Sequence, residues 1–286
     1  MNSTIEEMLK YYQTNNLTDK KNAMKEIIQE IVLCGLSRAG FFNKAAFYGG
    51  TALRIFYGLN RFSEDLDFSL TSPEPDFDLS SYFPVLKKEV TSWGLNVDIS
   101  LKEKNTDSAI RSAFLKGNTM EHMLVFYASE SLKSGISRDE VTKIKFEVDT
   151  MPPEGAGYEN KYRLLPSPYE VKMYDMPSLF AGKVHAVICR AWKQQVKGRD
   201  LYDYIFYLSR NASLNLPHLK ARLVQSGAWD PEKALSIEDT LDLLFSRFDS
   251  IDFENAKNDV RPFIRDTDSL NIWSADFFKQ ITSNLR

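Results

Sequence analysis

Residues 63–70 read SEDLDFSL, in which Asp65, Leu66, Asp67, Phe68, Ser69 and Leu70 alternate acid or hydroxyl with apolar side chain. In an extended strand successive side chains point to opposite faces. Leu66, Phe68 and Leu70 can therefore enter a core while Asp65, Asp67 and Ser69 share the other side. A solvated strand face has no need of two neighbouring carboxylates. Like charges held so close repel unless a cation lies between them. The stretch predicts a strand over about 64–70 that carries a metal site.

The flanking residues extend that reading. AAFYGG (45–50) predicts a short strand ending in a Gly-Gly turn, and TALRIFYGL (51–59) a helix opening at Thr51. Glycines let the backbone approach a ligand, and the free amides of a helix N-terminus hold phosphate oxygens. Gly49, Gly50 and Thr51, the last through its hydroxyl, are thus candidates to bind a nucleoside triphosphate. Asp65 and Asp67 would hold magnesium, with manganese as the alternative ion, bridging the same phosphates. Further on, TKIKFEVDT (142–150) alternates Ile144, Phe146 and Val148 with Lys145, Glu147 and Asp149, so a second strand shows two acids on one face. The parts are those of nucleotidyl transfer.

The remaining organisation follows from periodicity. DKKNAMKEIIQEIVLCGLS (19–37) has helical apolar spacing, residues 78–93 read as a helix, and LNVDISLK (95–102) and IRSAFLK (110–116) read as strands. The Pro-, Gly- and Tyr-rich MPPEGAGYENKYRLLPSPYE (151–170) suggests a boundary near 165. Beyond it the pattern is helical, including PSLFAGKVHAVICRAWKQ (177–194) and RDLYDYIFYLSR (199–210). On the first of these, Lys183 and Arg190 are seven apart and share a face suited to a triphosphate; on the second, Asp200 and Asp203 are neighbours that could pair with Lys183 or position an attacking hydroxyl. The expected fold is α/β (α+β): a mixed sheet with flanking helices over 1–165, then a helical lobe over 166–286.

Taken in order, GGTALR, RFSEDLDFSL, GKVHAVICR and GRDLYDYIFYL resemble the AbiEii/AbiGii-type nucleotidyltransferase toxins of the DNA polymerase beta-like nucleotidyltransferase superfamily, over residues 45 to 210. By position the resemblance makes Gly49, Gly50 and Thr51 the phosphate turn, Asp65 and Asp67 the metal pair, Lys183 the family lysine, and Asp200 with Asp203 the late acidic motif. It implies NMP transfer from an NTP to an acceptor hydroxyl, with RNA such as a tRNA 3' end as acceptor and a cognate antitoxin as partner. The superfamily usually has Gly-Ser where this chain has Gly50-Thr51, and it often adds a third carboxylate from a later strand, for which both Glu147 and Asp149 qualify. NMP transfer to a protein or small molecule, or a nucleotide- or partner-binding module without turnover, are the alternatives.

Composition bounds these readings. The 286 residues are 43% apolar with net charge -3, so the overall balance neither suggests nor excludes a polyanion. Cys34 and Cys189 each lie in an apolar helical stretch, as buried thiols in a reducing compartment would. The chain has no apolar run long enough to cross a membrane and starts without a signal-like segment, so a cytoplasmic protein is expected. His122, His185 and His218 share no ligand spacing, and the aromatic run Tyr202, Tyr204, Phe206 and Tyr207 reads as packing before it reads as a base-stacking platform. The mixed-sign segment 133–145 reads as loop and strand edge.

Overall fold

A computed structural model describes residues 3–102, 109–127, 136–190 and 196–286. The chain forms two compact units, neither continuous in sequence. The first takes residues 1–51, 63–152 and 160–173; the second takes 52–62, 153–159 and 174–286. Segments 52–62 and 153–159 thus belong with the helical part, and the chain changes unit at 51/52, 62/63, 152/153, 159/160 and 173/174 instead of once near 165. No helix among the described residues is long and apolar enough to cross a membrane.

The first unit is built on a seven-stranded mixed sheet. Its strands are β1 (Ala45–Tyr48), β2 (Leu66–Leu70), β3 (Asp98–Leu101), β4 (Ile110–Asn118), β5 (Val141–Asp149), β6 (Tyr158–Arg163) and β7 (Tyr169–Tyr174). They lie in the order β3-β4-β5-β2-β1-β7-β6. β2 sits in the interior, antiparallel to β1 and parallel to β5. Its alternation is the cause: Leu66, Phe68 and Leu70 are buried beside Phe47 of β1 and Ile144, Phe146 and Val148 of β5. Each such side chain contributes about 1.5–3 kcal/mol on burial. Phe68 also meets Phe41 edge-on at 5.0 Å and Phe47 at 5.1 Å. The helices of this unit are α1 (Ser3–Leu9), α2 (Leu17–Arg38), α4 (Phe83–Ser92) and α5 (Thr119–Phe126). α2, capped by the Asn16 side chain, buries Ile27, Ile28, Ile31 and Val32. From the same helix Glu30 takes a two-pronged contact from Arg163 at 2.9 and 2.8 Å, with the Tyr169 hydroxyl at 3.2 Å.

β6 and β7 depart from the sequence expectation, which had a boundary segment there. YENKYR has no apolar alternation because β6 is an edge strand whose exposed positions include Tyr158 and Tyr162. The period-2 signal that marks a strand buried on one face is therefore missing. β2 also begins at Leu66, one residue after Asp65, so Asp65 stands at the mouth of the strand and Asp67 within it.

The second unit holds most of α3 (Gly49–Tyr57), then α6 (Met176–Cys189), α7 (Gly198–Ser209), α8 (Leu216–Gln225), α9 (Ile237–Asp249), α10 (Phe253–Val260) and α11 (Ala275–Thr282). The helix expected over 177–194 ends at Cys189, and Arg190 leaves it with extended backbone; residues 191–195, with Lys193, lie outside the described residues, as do 133–135 of the mixed-sign segment. Gly198 opens α7 so close to α10 that a Cβ there would lie 1.8 Å from the Ala256 carbonyl oxygen. Tyr207 is buried and stacks on Phe180 at 4.8 Å, and the buried Tyr204 hydroxyl lies 2.8 Å from that of Thr282, so both rings serve packing. Cys34 is buried and Cys189 half-buried, and both are free thiols.

His218 is buried with both ring nitrogens engaged: Arg222 Nε donates to Nε2 at 2.9 Å, and Nδ1 donates to the Glu154 carbonyl at 2.8 Å. Burial, reinforced by Arg222, pushes its pKa from 6.5 down to about 4. Between those pH values the unfolded chain binds the proton and the folded chain does not, so stability present above pH 6.5 is lost as pH falls towards 4. Urea melts at pH 7.5 and 5 should show a loss to which His218 contributes roughly 2 kcal/mol, and His218→Gln should flatten that slope.

Candidate active site

In the first unit, the register of three strands assembles the acids. Tyr48 pairs with Asp67 across β1 and β2, and Asp67 pairs with Glu147 across β2 and β5. Glu147 in turn pairs with Ser112 of β4, whose hydroxyl donates to Glu147 Oε1 at 2.8 Å, while Lys145 Nζ lies 2.6 Å from Oε2. Side chains at paired positions point to the same face of a sheet. Glu147 is therefore the carboxylate beside Asp67. Asp149 pairs with Ser69 one step further along and accepts the Met151 amide at 3.0 Å, which closes the end of β5.

Immediately after Tyr48 the chain turns over Asp67. Gly49 has φ +85°, a left-handed conformation that a side chain resists, and a Cβ on it would lie 2.6 Å from Asp67 Oδ2. Only glycine lets the carboxylate come this close to the start of α3. That helix opens at Gly49, two residues earlier than Thr51, so Gly49, Gly50 and Thr51 are its first turn. The first amides of a helix have no partner within it and favour anions. Thr51 is fully buried; its hydroxyl donates to the Asp65 carbonyl and lies 2.9 Å from Ser63 Oγ. The Thr51 hydroxyl is therefore spent within the protein.

The Asp65 and Asp67 carboxylates offer oxygen donors of the kind a hard divalent cation takes, and Glu147 pairs with Asp67 in the next strand. Among the described residues no group of three or more His, Cys, Asp or Glu side chains is gathered closely enough to hold a metal by itself. Magnesium is usually bound by one or two carboxylates together with substrate phosphates, so such a cage is not required.

In the second unit, Lys183 of α6 is shared by two acids of α7, at 2.7 Å from Asp200 Oδ1 and 2.9 Å from Asp203 Oδ2. Arg190 reaches Asp200 Oδ2 at 2.5 Å. Asp203 has a further partner in Arg61, whose Nε and Nη2 bind its two oxygens at 2.6 and 2.7 Å. Arg61 and Asp203 are 5% and 0% exposed, so this is a buried, two-pronged ion pair. Burial alone would push the Asp203 carboxyl up, but Arg61 and Lys183 outweigh it and hold it below the ordinary carboxylate range. For Lys183 burial opposes the charge, and Asp200 and Asp203 more than offset it. All four carboxylate oxygens are thus engaged by cations, and both acids pair with Lys183.

The model of the nucleotidyl transferase AbiEii toxin, of type IV toxin–antitoxin systems, matches residues 31–280. The chain belongs to the AbiEii nucleotidyltransferase toxin family. Among solved structures it is similar to MenT4, a nucleotidyltransferase toxin from Mycobacterium tuberculosis, at 14% identity and TM-score 0.56 over 99% of this chain and 89% of that one. It is also similar to JHP933 from Helicobacter pylori, at 19% identity and TM-score 0.50 over 91% and 89%. At these identities the likeness speaks for the fold. No curated protein matches the chain.

As an AbiEii-family protein the chain is a nucleotidyltransferase toxin, and the family implies an antitoxin partner. The structure places Gly49, Gly50, Thr51, Asp65, Asp67, Glu147 and Asp149 in the first unit and Lys183, Arg190, Asp200 and Asp203 in the second. Arg61 was not singled out from the sequence. A lone arginine carries no local signal when its partner is 142 residues away. Its burial separates two kinds of acid in this AbiEii-family chain. Asp203→Ala strands the Arg61 charge and should cost about 3–5 kcal/mol of stability, whereas Asp65→Ala, at an exposed position, should stay within about 0.5 kcal/mol. Urea denaturation of both variants checks the contrast.

Proposed function

We propose that this AbiEii-family protein transfers NMP from an NTP to an acceptor hydroxyl on RNA, such as a tRNA 3' end, in a magnesium-dependent reaction. The observation that supports it most is the close approach of Gly49 to Asp67, which sets a metal-type carboxylate against the start of a helix. Phosphates and their counter-ion need neighbouring binding groups, and that arrangement offers both.

On this reading the amides of Gly49, Gly50 and Thr51 bind phosphate oxygens, and Asp65 and Asp67 would hold magnesium together with those phosphates, with manganese able to substitute. The bound ion supplies charge neutralisation on the phosphates. The acceptor oxygen forms a bond to the α-phosphorus, the bond from that phosphorus to the β-phosphate oxygen breaks, pyrophosphate departs and the acceptor proton passes to solvent. Asp203, buried and doubly paired, holds Lys183 in place and is not a proton acceptor; Asp200 anchors Lys183 and Arg190 together. The RNA acceptor rests on the resemblance of the motifs to toxins that modify tRNA.

The test incubates the protein and Asp65→Ala with magnesium, each α-labelled NTP in turn, and total cellular RNA and protein. Label on small RNA that is lost in Asp65→Ala is the expected result. Label on protein instead would retain the transferase and discard the RNA acceptor, and equal labelling by Asp65→Ala would discard the metal pair.

A further inference from the structure

The three residues before β2, Ser63, Glu64 and Asp65, lie outside any helix or strand, so their carbonyls have no ladder to join. All three are nonetheless held, each by a fully buried side chain. The Gln29 amide of α2 donates to Ser63 O at 3.0 Å and Glu64 O at 2.8 Å, which uses both of its hydrogens. The Thr51 hydroxyl donates to Asp65 O. Gln29 and Thr51 are both 0% exposed.

Gln29 is costly where it stands. It lies on α2 among Ile27, Ile28, Ile31 and Val32, and its Oε1 is buried with no partner among the described residues. Such an unsatisfied acceptor costs about 1–3 kcal/mol. A side chain with so poor a hydrogen-bond balance is explained by what its other end does. It fixes two successive peptide planes, and Thr51 fixes the third, at the point where the chain delivers Asp65.

We infer that Gln29 and Thr51 act as a clamp that positions Asp65 for metal binding. The inference rests on the reading of Asp65 and Asp67 as metal ligands. Asp67 is fixed by the strand ladder, whereas Asp65 is exposed at the mouth of β2, outside it. Holding the backbone of Asp65 limits where its carboxylate can lie, so the ligand is in place before the ion arrives. Outer groups that orient metal ligands are commonly worth ten- to a hundredfold in affinity. Gln29 is a positioning residue in this account and touches no reacting atom. It also lies two positions before the segment matched by the family.

The test measures binding of Mn2+ alone, from the electron paramagnetic resonance signal of the free ion, to the full chain, Gln29→Met and Asp65→Ala, with circular dichroism melts alongside. Methionine keeps the volume and removes the donor. The expected result is a folded Gln29→Met whose Mn2+ dissociation constant is raised about tenfold, with binding abolished in Asp65→Ala. Unchanged affinity in folded Gln29→Met, with binding lost in Asp65→Ala, overturns the clamp and leaves the metal pair standing. Unchanged affinity in Asp65→Ala overturns the metal pair and the clamp with it. If Gln29→Met does not fold, Thr51→Val carries the test: weakened Mn2+ binding supports the clamp and unchanged binding overturns it.

Discussion

The first unit depends on the approach of Asp67 to Gly49. The antiparallel pairing of β1 with β2 sets Tyr48 opposite Asp67, and the next residue must turn the chain into α3 without a side chain in the way. A left-handed glycine does so, and the carboxylate then rests against the first turn of a helix, where partial positive charge favours it. The interior place of β2 makes the arrangement stiff. With β1 on one side and β5 on the other, and Leu66, Phe68 and Leu70 buried beneath, β2 cannot slip by one residue without turning its apolar side chains outward. The same register that protects the core therefore brings Glu147 alongside Asp67.

The second unit handles its acids in the opposite way. Asp200 and Asp203 are almost fully removed from water and matched by Lys183, Arg190 and Arg61. Taking these charges from water is expensive, and a packed apolar cluster of the same volume would often be as stable. What the ionic cluster adds is orientation: an ammonium held between two carboxylates has one position, where a solvated lysine has many. The charges sum to one surplus positive unit, three cations against two anions, and the surplus sits on the side of Arg190, which is half-exposed. The acids of the second unit hold cations in place.

Much of this was legible in the sequence because it is local. The alternation in SEDLDFSL and TKIKFEVDT reports burial on one face, and the Gly-Gly pair reports a turn; both are properties of a few adjacent residues. Four motifs in family order then named the chemistry. What escaped was set by distant partners. Nothing in 151–170 announces β6 and β7, since an edge strand need not alternate. Glu147 and Asp149 are equivalent until the register with β2 separates them. Thr51 looked like a phosphate ligand through its hydroxyl, but that hydroxyl is turned inward to Asp65 and Ser63. Gln29 left one faint signal, a polar residue among the isoleucines of an amphipathic helix.

The path of the chain through its two units carries a further consequence. Segment 52–62, which follows the Gly-Gly turn, belongs with the helices of the second unit, and it brings Arg61 to Asp203. A fragment cut at the apparent boundary, residues 166–286, would contain Asp203 without its strongest counter-charge. The complementary fragment would carry Arg61 without the Asp203 carboxylate. The second unit is thus drawn from separated stretches of the chain, and the Arg61–Asp203 pair joins two of them. One cut anywhere between 62 and 203 severs the covalent link that keeps that ion pair intramolecular.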